Sequence, residues 1–246
     1  MAKPRADDLE ELRREVERLR VSDELKERWI ALASHELRNP LTVLVSGLGV
    51  AKKQMEAGAP VDVKRLITVL DRQVHVLTRL VDDMLDVSRA EAGTISVESE
   101  PVPLHQTAKV VVPPLVESSP RHELRLDLDE VVARGDRGRV EQVISNLVRN
   151  ALRYSPEGGP IRVRTGHRGN AAFFEVTDAG VGFDRAAATK LFQPFGQLKR
   201  ATTREGGLGL GLYLARELIT RMGGTIEGTS PGPGKGATFR FTLPLA

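Results

Sequence analysis

The chain has no cysteine among its 246 residues. Disulfide bonds and thiolate metal sites are therefore excluded, and the composition is compatible with a reducing cytosol, where we expect the protein to work. No apolar run is long enough to span a membrane, and no secretory signal is recognisable. Any contact with the outside of the cell must therefore come from another polypeptide or segment.

Aromatic residues are also scarce, at 4% of the chain, and no long run of like charge occurs. The net charge of +3 is spread over interspersed basic and acidic residues. A nucleic-acid partner is therefore not expected, because such partners favour a basic stripe with aromatic side chains that stack on bases. The length fits two modest domains joined by a connector.

An apolar seam opens the chain. Its members alternate in steps of three and four residues, which predicts a coiled-coil or signal-input helix over 1–21: Leu9, Leu12, Val16 and Leu19. A solvated amphipathic helix is the alternative for so short a run. Further on, the apolar positions move to Leu25, Trp29 and Leu32, so either the seam changes phase or a new helix starts at Ser22.

A helical hairpin is predicted over residues 22–93. Its first helix should be kinked at Pro40, which lacks a backbone donor, and should stop near Glu56–Pro60. The second helix should end at Gly93 and carries one apolar stripe, namely Val63, Leu66, Ile67, Leu70, Val74, Leu77, Val81 and Met84. Two helices cannot bury such stripes, whereas two hairpins form a four-helix bundle, so we expect a homodimer.

Beyond Gly93 the pattern changes to a mixed one over 94–246, after a linker at Gly93–Leu104. Alternating or β-prone runs predict strands, and two longer periodic runs predict helices at Asp136–Tyr154 and Leu210–Met222. The expected strands lie around Leu124–Leu128, Ile161–Arg164, Phe173–Thr177 and Phe239–Leu243. This predicts a two-layer α/β sandwich, and α+β as the class of the whole chain.

Two asparagines, Asn146 and Asn150, lie one turn apart on the predicted helix and share the face beside its core stripe. Neutral carboxamide oxygens suit a Mg²⁺ ion that keeps several waters and also contacts substrate phosphates. Taken alone, two such residues are more often surface or capping groups.

Two glycine-containing blocks follow in the chain. Asp178–Gly182 ends a strand with an acid that would accept a hydrogen bond from the exocyclic amine of adenine, although a simple strand-ending turn is the alternative. Gly207–Leu212 precedes a helix, where backbone without side chains suits phosphate, but it is neither a dinucleotide fingerprint nor a Walker loop.

Together these blocks resemble the histidine protein kinases of two-component signalling, whose ATP-binding domain belongs to the GHKL group with gyrase, the heat-shock ninety chaperone and the mismatch-repair ATPases. The similarity covers about Ser22 to Leu245. The matching blocks are the N box Asn146–Ser155, with Arg153 and Tyr154 in its basic-aromatic positions, the first glycine box Asp178–Gly182, the F box Leu191–Phe195, the second glycine box Gly207–Leu212 and the second bundle helix at Arg79–Arg89.

The resemblance implies that His35, within Ser34–Thr42, is the phosphoacceptor. Imidazole is partly uncharged and nucleophilic near neutral pH, and Glu36 would take or orient its proton. Asn39, one turn further on, would orient a water that removes phosphate from the aspartate of the partner. The other histidines are interpreted as surface or core residues: His75, His105, His122 and His167.

For the second domain the resemblance implies that ATP and Mg²⁺ are the cofactors. Asn150 would bind the metal with support from Asn146, and Asp178 would select adenine next to Gly180 and Gly182. The phosphates would be bordered by Gly207, Gly209, Gly211 and Leu212. Phe183–Gly206 would correspond to the ATP lid, from which Arg204 would reach the terminal phosphate. Lys199 and Arg200 are alternatives for this role, and all three could instead be solvated charges of a loop.

Two departures from the family pattern are Pro113–Pro114, where a helix should end early or bend, and Leu208, where relatives often carry threonine. No receiver domain follows Leu245, so the expected partner is a response regulator on a separate protein, and a membrane or soluble sensor would supply the input. The alternative functions are a catalytically silent ATP-binding scaffold, a pseudokinase, and a chaperone-type or repair-type ATPase, although the last does not explain the His35 hairpin.

Overall fold

The structure is a computed structural model that describes residues 6–117, 119–188, 190–194 and 209–246, with side chains described from residue 30 onward. Two compact units divide the chain between Leu80 and Val81. The first unit holds most of the helical hairpin, and the second holds the sheet. The division falls inside the second helix, on the N-terminal side of the expected linker at Gly93–Leu104.

The hairpin consists of α1 (Ala6–Glu56) and α2 (Val63–Glu91). Helix α1 is continuous, so no new helix starts at Ser22. Of the two alternatives given for this point, only a phase change of the apolar seam is left. Pro40 lies inside α1 without ending it. The predicted stop near Glu56 is confirmed, and Gly58 adopts a positive φ of 66° in the turn.

The apolar stripe of α2 has two edges. On one edge Leu66, Leu70 and Leu77 are half-buried, and a Cβ added to Gly47 of α1 would lie 3.6 Å from Cδ1 of Leu66, which shows how closely the helices approach. The other edge, with Val63, Ile67 and Val74, is exposed. Helix α1 also exposes apolar side chains: Ile30, Leu41, Val43, Val45, Leu48, Val50 and Met55. The hairpin therefore leaves much of its apolar surface in water.

The second unit begins with the last turns of α2 and continues as a two-layer α/β domain. Its five-stranded sheet has the order β2-β4-β5-β7-β6, with β2 and β4 parallel and the other neighbours antiparallel, and β1 pairs separately with β3. The elements are β1 (Glu100–Pro103), α3 (Leu104–Glu117), β2 (His122–Leu128), β3 (Val132–Gly135), α4 (Arg137–Arg153), β4 (Gly159–Arg168), β5 (Ala171–Asp178), α5 (Arg185–Ala188), α6 (Gly211–Arg221), β6 (Thr225–Thr229) and β7 (Ala237–Pro244).

The core of this unit lies between the sheet and helices α3, α4 and α6. Buried and half-buried residues alternate strictly along β7, which is the pattern of a strand with one face on a core. Phe174 and Phe241, both fully buried, stack with their ring centroids 5.4 Å apart. The mixed sheet with helices on one face, predicted from the sequence, is confirmed.

A row of alternating charge crosses the opposite face of the sheet. Strand register places Asp127, Arg164, Glu175 and Arg240 side by side on four adjacent strands. Arg164 Nε lies 3.2 Å from Asp127 Oδ2, and Arg240 Nε donates to Glu175 Oε2 at 2.8 Å. Glu175 is buried beneath the two arginines. Opposite charges on neighbouring strands stabilise this register.

Helix α3 does not end early at Pro113 and Pro114 but continues to Glu117, so the first of the two alternatives expected there is wrong. Each proline removes a hydrogen bond to the carbonyl four residues earlier, here those of Lys109 and Val110. Both residues are exposed, so water can satisfy these carbonyls. The helix thus continues through the prolines and buries Val116.

The end of α2 packs within the second unit. Arg139 Nη1 of α4 donates to Asp86 Oδ2 at 2.7 Å, and Gln142 Nε2 donates to the same oxygen at 2.9 Å. Arg221 Nη2 of α6 donates to the carbonyl of Ala90 at 3.1 Å, and Ile95 is buried in the core. The last turns of α2 thus contact the helix that carries both asparagines.

Candidate active site

Helix α4 positions the two asparagines of the first block. Asp136 caps it by accepting a hydrogen bond from the backbone N–H of Arg139 at 3.0 Å, and Leu147 and Ala151 bury the core face. Asn146 and Asn150 lie half-buried on the adjacent face. Asn146 Nδ2 lies 3.5 Å from the carbonyl oxygen of Gly211, so the first and third sequence blocks meet at this point.

Asp178, the last residue of β5, is a buried carboxylate with its two oxygens in different environments. Its Oδ1 accepts from the backbone N–H of Gly180 at 2.8 Å, from that of Ala237 at 3.2 Å and from Ser155 Oγ at 3.5 Å. No donor reaches its Oδ2 within the described residues. Burial raises the pKa of Asp178, and the donors on Oδ1 oppose that shift. The oriented, open oxygen suits a ligand donor.

The glycines after Asp178 permit close backbone contacts. A Cβ on Gly180 would lie 2.0 Å from the carbonyl oxygen of Tyr154, and one on Gly182 would lie 2.4 Å from that of Gly232. Gly182 also has a positive φ of 55°. Because Val181 N–H donates to Tyr154 O at 2.8 Å, the end of the N box is joined directly to the first glycine box.

Sequence reasoning missed the loop Ser230–Gly236, which closes over the first glycine box. The backbone N–H of Phe183 donates to Ser230 Oγ at 3.1 Å, and that of Gly236 donates to Gly180 O at 2.9 Å. A Cβ on Gly236 would lie 2.1 Å from the carbonyl oxygen of Asp178. The signal was visible, since glycines alternate with prolines in this loop.

The third block is described only in part. Gly209 has a positive φ of 68°, Gly211 begins α6 and Leu212 is buried. Gly207, Leu208 and the basic candidates Arg204, Lys199 and Arg200 lie outside the described residues.

Two further parts of the resemblance are described. In the N box the Arg153 guanidinium carbon lies 5.6 Å from the ring centroid of Tyr154. In the F box Leu191 and Phe192 are buried, and Phe192 lies edge-on to Phe239, whereas Phe195 is outside the described part. These contacts tie the described part of the F box to the core.

His35 lies on α1 in the first unit, with its side chain 69% exposed. Its Nδ1 lies 3.8 Å from Oε1 of Glu36, whose side chain is only 12% exposed, and Asn39 is exposed one turn further on. His75 on α2 forms a comparable pair with Asp71, 3.7 Å from Nε2 to Oδ2, but there both side chains are exposed. The half-buried carboxylate distinguishes His35 from His75.

Two family models match this chain. The His Kinase A (phospho-acceptor) domain matches residues 25–93, and the histidine kinase-, DNA gyrase B- and HSP90-like ATPase matches residues 135–246. The chain belongs to the two-component sensor histidine kinases. Its N-terminal match contains His35, and its C-terminal match contains both asparagines and Asp178.

Individual relatives agree with this family. The chain is 33% identical over 237 residues to the alginate biosynthesis sensor protein KinB of Pseudomonas aeruginosa, covering 94% of this histidine kinase chain and 39% of the relative. It is also 33% identical over 233 residues to the signal transduction histidine-protein kinase BarA of Escherichia coli, covering 90% and 25%. The chain thus spans well under half of either relative.

A solved structure supports the fold as well. The histidine kinase AdeS of Acinetobacter baumannii superposes with a TM-score of 0.64 at 27% identity, over 86% of this chain and 98% of AdeS. In the part of the chain that the structure describes, no helix is long and apolar enough to cross a membrane. The same residues contain no group of three or more histidine or acidic side chains suited to a metal ion.

Proposed function

We propose that this chain transfers the terminal phosphoryl group of ATP to His35 and then to an aspartate on a separate response regulator. The observation that carries the proposal is that one chain combines the exposed His35, beside the half-buried Glu36, with a buried carboxylate at Asp178 whose donors all reach one oxygen and leave the other open. Each feature falls within the family match appropriate to its role.

The chemistry at His35 requires an uncharged ring nitrogen. That nitrogen attacks the γ-phosphorus, a P–N bond forms, the P–O bond to ADP breaks, and Glu36 takes the proton released from the ring. Glu36 is close enough to orient the ring through Nδ1. Little covalent help is needed, so positioning and charge neutralisation would supply most of the rate.

In the ATP-binding domain, Asp178 Oδ2 would accept the exocyclic amine of adenine, and the closely packed backbone at Gly180 and Gly182 would border the base. Asn150, supported by Asn146, would hold Mg²⁺, because carboxamide oxygens are hard, neutral ligands of the kind this ion accepts. Bound there, the ion would neutralise phosphate charge. The backbone of Gly207–Leu212 would border the phosphates of ATP, and Arg204 would contact the terminal phosphate.

We also propose that the active form is a homodimer. The exposed apolar edge of α2, with Ile67 and Val74, and the apolar surface of α1 would bury each other in a four-helix bundle. The phosphorylated chain would then meet its response regulator near the exposed His35.

The direct test is incubation with radiolabelled ATP and Mg²⁺, followed by exposure of the labelled protein to acid. We expect acid-labile label on the parent and on His75→Ala, and none on His35→Ala, whose ATP affinity should match that of the parent. His75 is the matched control because it is also an exposed helical histidine next to a carboxylate. A parent that binds ATP without becoming labelled would instead support the scaffold function.

Phosphatase activity is a separate proposal that depends on Asn39. Asn39→Ala should keep autophosphorylation and slow the dephosphorylation of a phosphorylated response regulator, because the amide that orients the attacking water is lost. Equal dephosphorylation rates for Asn39→Ala and the parent would remove this role.

A further inference from the structure

A chain of polar contacts leads from the edge of the sheet to the adenine carboxylate. His122, the first residue of β2, is half-buried, and its Nε2 lies 2.9 Å from the backbone carbonyl oxygen of Ser155. Its Nδ1 lies 2.8 Å from Oγ of Ser119. Because a carbonyl only accepts, Nε2 must carry the hydrogen. In the neutral ring, Nδ1 therefore accepts from the Ser119 hydroxyl, and both ring nitrogens are engaged.

The next contact in this chain is made by the side chain of Ser155. Ser155 is fully buried, and its Oγ donates to Asp178 Oδ1, the oxygen that also receives the Gly180 and Ala237 N–H groups. The preceding carbonyl, that of Tyr154, is fixed by Val181 N–H. Ser155 is thus held at its carbonyl by His122, while its hydroxyl helps to orient the carboxylate.

We propose that His122 is a positioning residue for adenine recognition. By holding the Ser155 carbonyl, it keeps the Ser155 hydroxyl on Oδ1 of Asp178 and so leaves Oδ2 directed at the ligand. This inference rests on the proposed function, since it assumes that Asp178 binds the adenine amine. His122, which lies outside every family motif in this chain, would thus control the affinity and selectivity of the nucleotide site.

The turn that His122 contacts, after Ser155, is closed without the His122 side chain, which argues against a purely structural role. Gly158 N–H donates to the Ser155 carbonyl at 2.9 Å, and Gly159 N–H donates to the carbonyl of Arg121 at 3.0 Å. Removal of the imidazole would leave these bonds and the strand pairing in place. What is lost is the second donor that fixes the direction of the Ser155 carbonyl.

Two amide substitutions separate the contacts of the ring. In His122→Gln the side-chain nitrogen reaches the position of Nε2, so the donor to Ser155 is kept, whereas the shorter His122→Asn cannot reach it. Calorimetry on the full chain with ADP and with GDP should show ADP affinity reduced about tenfold in His122→Asn and within about twofold of the parent in His122→Gln. The weaker affinity for GDP should stay unchanged, so selectivity falls.

A double-mutant cycle tests whether His122 acts through the Ser155 side chain. Ser155→Ala should weaken ADP binding to a similar extent, and adding His122→Asn to it should have little further effect. Additive losses, or equal losses for ADP and GDP, would overturn the inference. Should His122→Asn fail to fold, Ser119→Ala replaces it, with an expected loss of about two- to threefold for ADP alone. Unchanged ADP affinity in Ser119→Ala would likewise overturn the inference.

ADP binding by the parent protein distinguishes a failure of the proposed function from a failure of the inference about His122. A parent that does not bind ADP would overturn the proposed function and this inference with it. A parent that binds ADP, together with a folded His122→Asn that binds it equally well, would overturn the inference alone.

Discussion

The two units of the molecule handle apolar surface in opposite ways. In the hairpin, between residues 30 and 80, the only buried apolar side chains described are Ala33, Pro40, Ala51 and Leu80, whereas Ile67, Val45 and others face water. In the second unit one continuous core extends from Ile95 to Leu243. The core of the ATP-binding domain is therefore complete within one chain, whereas the hairpin that carries His35 leaves many apolar side chains exposed.

This difference separates the functions as well. The proposed nucleotide site is built from backbone contacts that a packed core can hold rigidly, such as those around Asp178 and Gly180. In the proposed function His35 needs exposure instead, because it would meet first a nucleotide and then a second protein. In the proposed homodimer, an exposed nucleophile would lie on a bundle that becomes firmly packed only when two chains associate.

The largest effect on assembly should come from a charge on the apolar edge of the hairpin. Ile67, 60% exposed in the single chain, would be buried in the bundle, so Ile67→Glu should weaken dimerisation by about 100-fold or more. Sedimentation equilibrium measures this change. The matched control is Val110→Glu on α3, since Val110 is 71% exposed but belongs to the self-contained domain. Equal dissociation in both variants would contradict the contrast between the units.

A large loss of stability is expected from truncation in the core of the second unit. Phe174 is fully buried and stacked on Phe241, so Phe174→Ala should lower the free energy of unfolding by about 3–5 kcal/mol. Chemical denaturation measures the change. Phe173→Ala, the neighbour on the opposite face of the strand, should cost clearly less, and similar losses would show that the two faces of β5 are not distinguished by packing.

A smaller effect is expected where α2 meets the ATP-binding domain. Arg139→Ala leaves the buried Asp86 carboxylate with fewer donors and should lower the free energy of unfolding by about 1–3 kcal/mol. Arg125→Ala, which breaks an exposed pair with Glu123, should leave the free energy of unfolding almost unchanged, because solvent screens that pair. Denaturant titration of both variants checks the ranking, and its reversal would remove the argument that the end of α2 is docked.

The smallest effect concerns the burial of Asp178. Burial raises the pKa of Asp178 in the folded state above its pKa in the unfolded state. The carboxyl therefore contributes stability to the ligand-free fold below the unfolded-state pKa and loses that contribution as the pH rises through the folded-state pKa. Asp178→Asn should therefore gain stability relative to the parent as the pH rises from acid to neutral, while it loses ADP binding. Melting curves across this range test the sign, and a growing deficit of the variant would contradict it.

Much of the fold was predictable because it depends on local pattern. The ends of α4 at Asp136 and Tyr154, the strand runs and the stop of α1 near Glu56 all follow from periodicity, capping and turn residues. The early end of α3 at Pro113, which the structure does not show, was argued from local chemistry alone. Exposure of Lys109 and Val110, which lets water replace the lost bonds, depends on the tertiary arrangement and could not be read locally.

The candidate site divides in the same way. Asn150 and Asp178 could be found because they stand in short motifs, whereas the contacts of Ser155, Ser230 and His122 join segments far apart in sequence. Strand register brings His122 opposite Gly159, and only this pairing places the ring beside the N box. No motif or periodicity encodes such a contact, so His122 was interpreted as surface or core.

The most direct measurement of the central claim is the position of the phosphoryl group after reaction with ATP and Mg²⁺. Tryptic digestion at mild alkaline pH, which preserves a phosphoramidate, followed by peptide mass spectrometry should place it on the peptide Trp29–Arg38, which contains His35. Loss of the phosphoryl group from this peptide on brief acid treatment would agree with a P–N bond. Phosphate on His75, or acid-stable phosphate on a serine or threonine, would contradict the account.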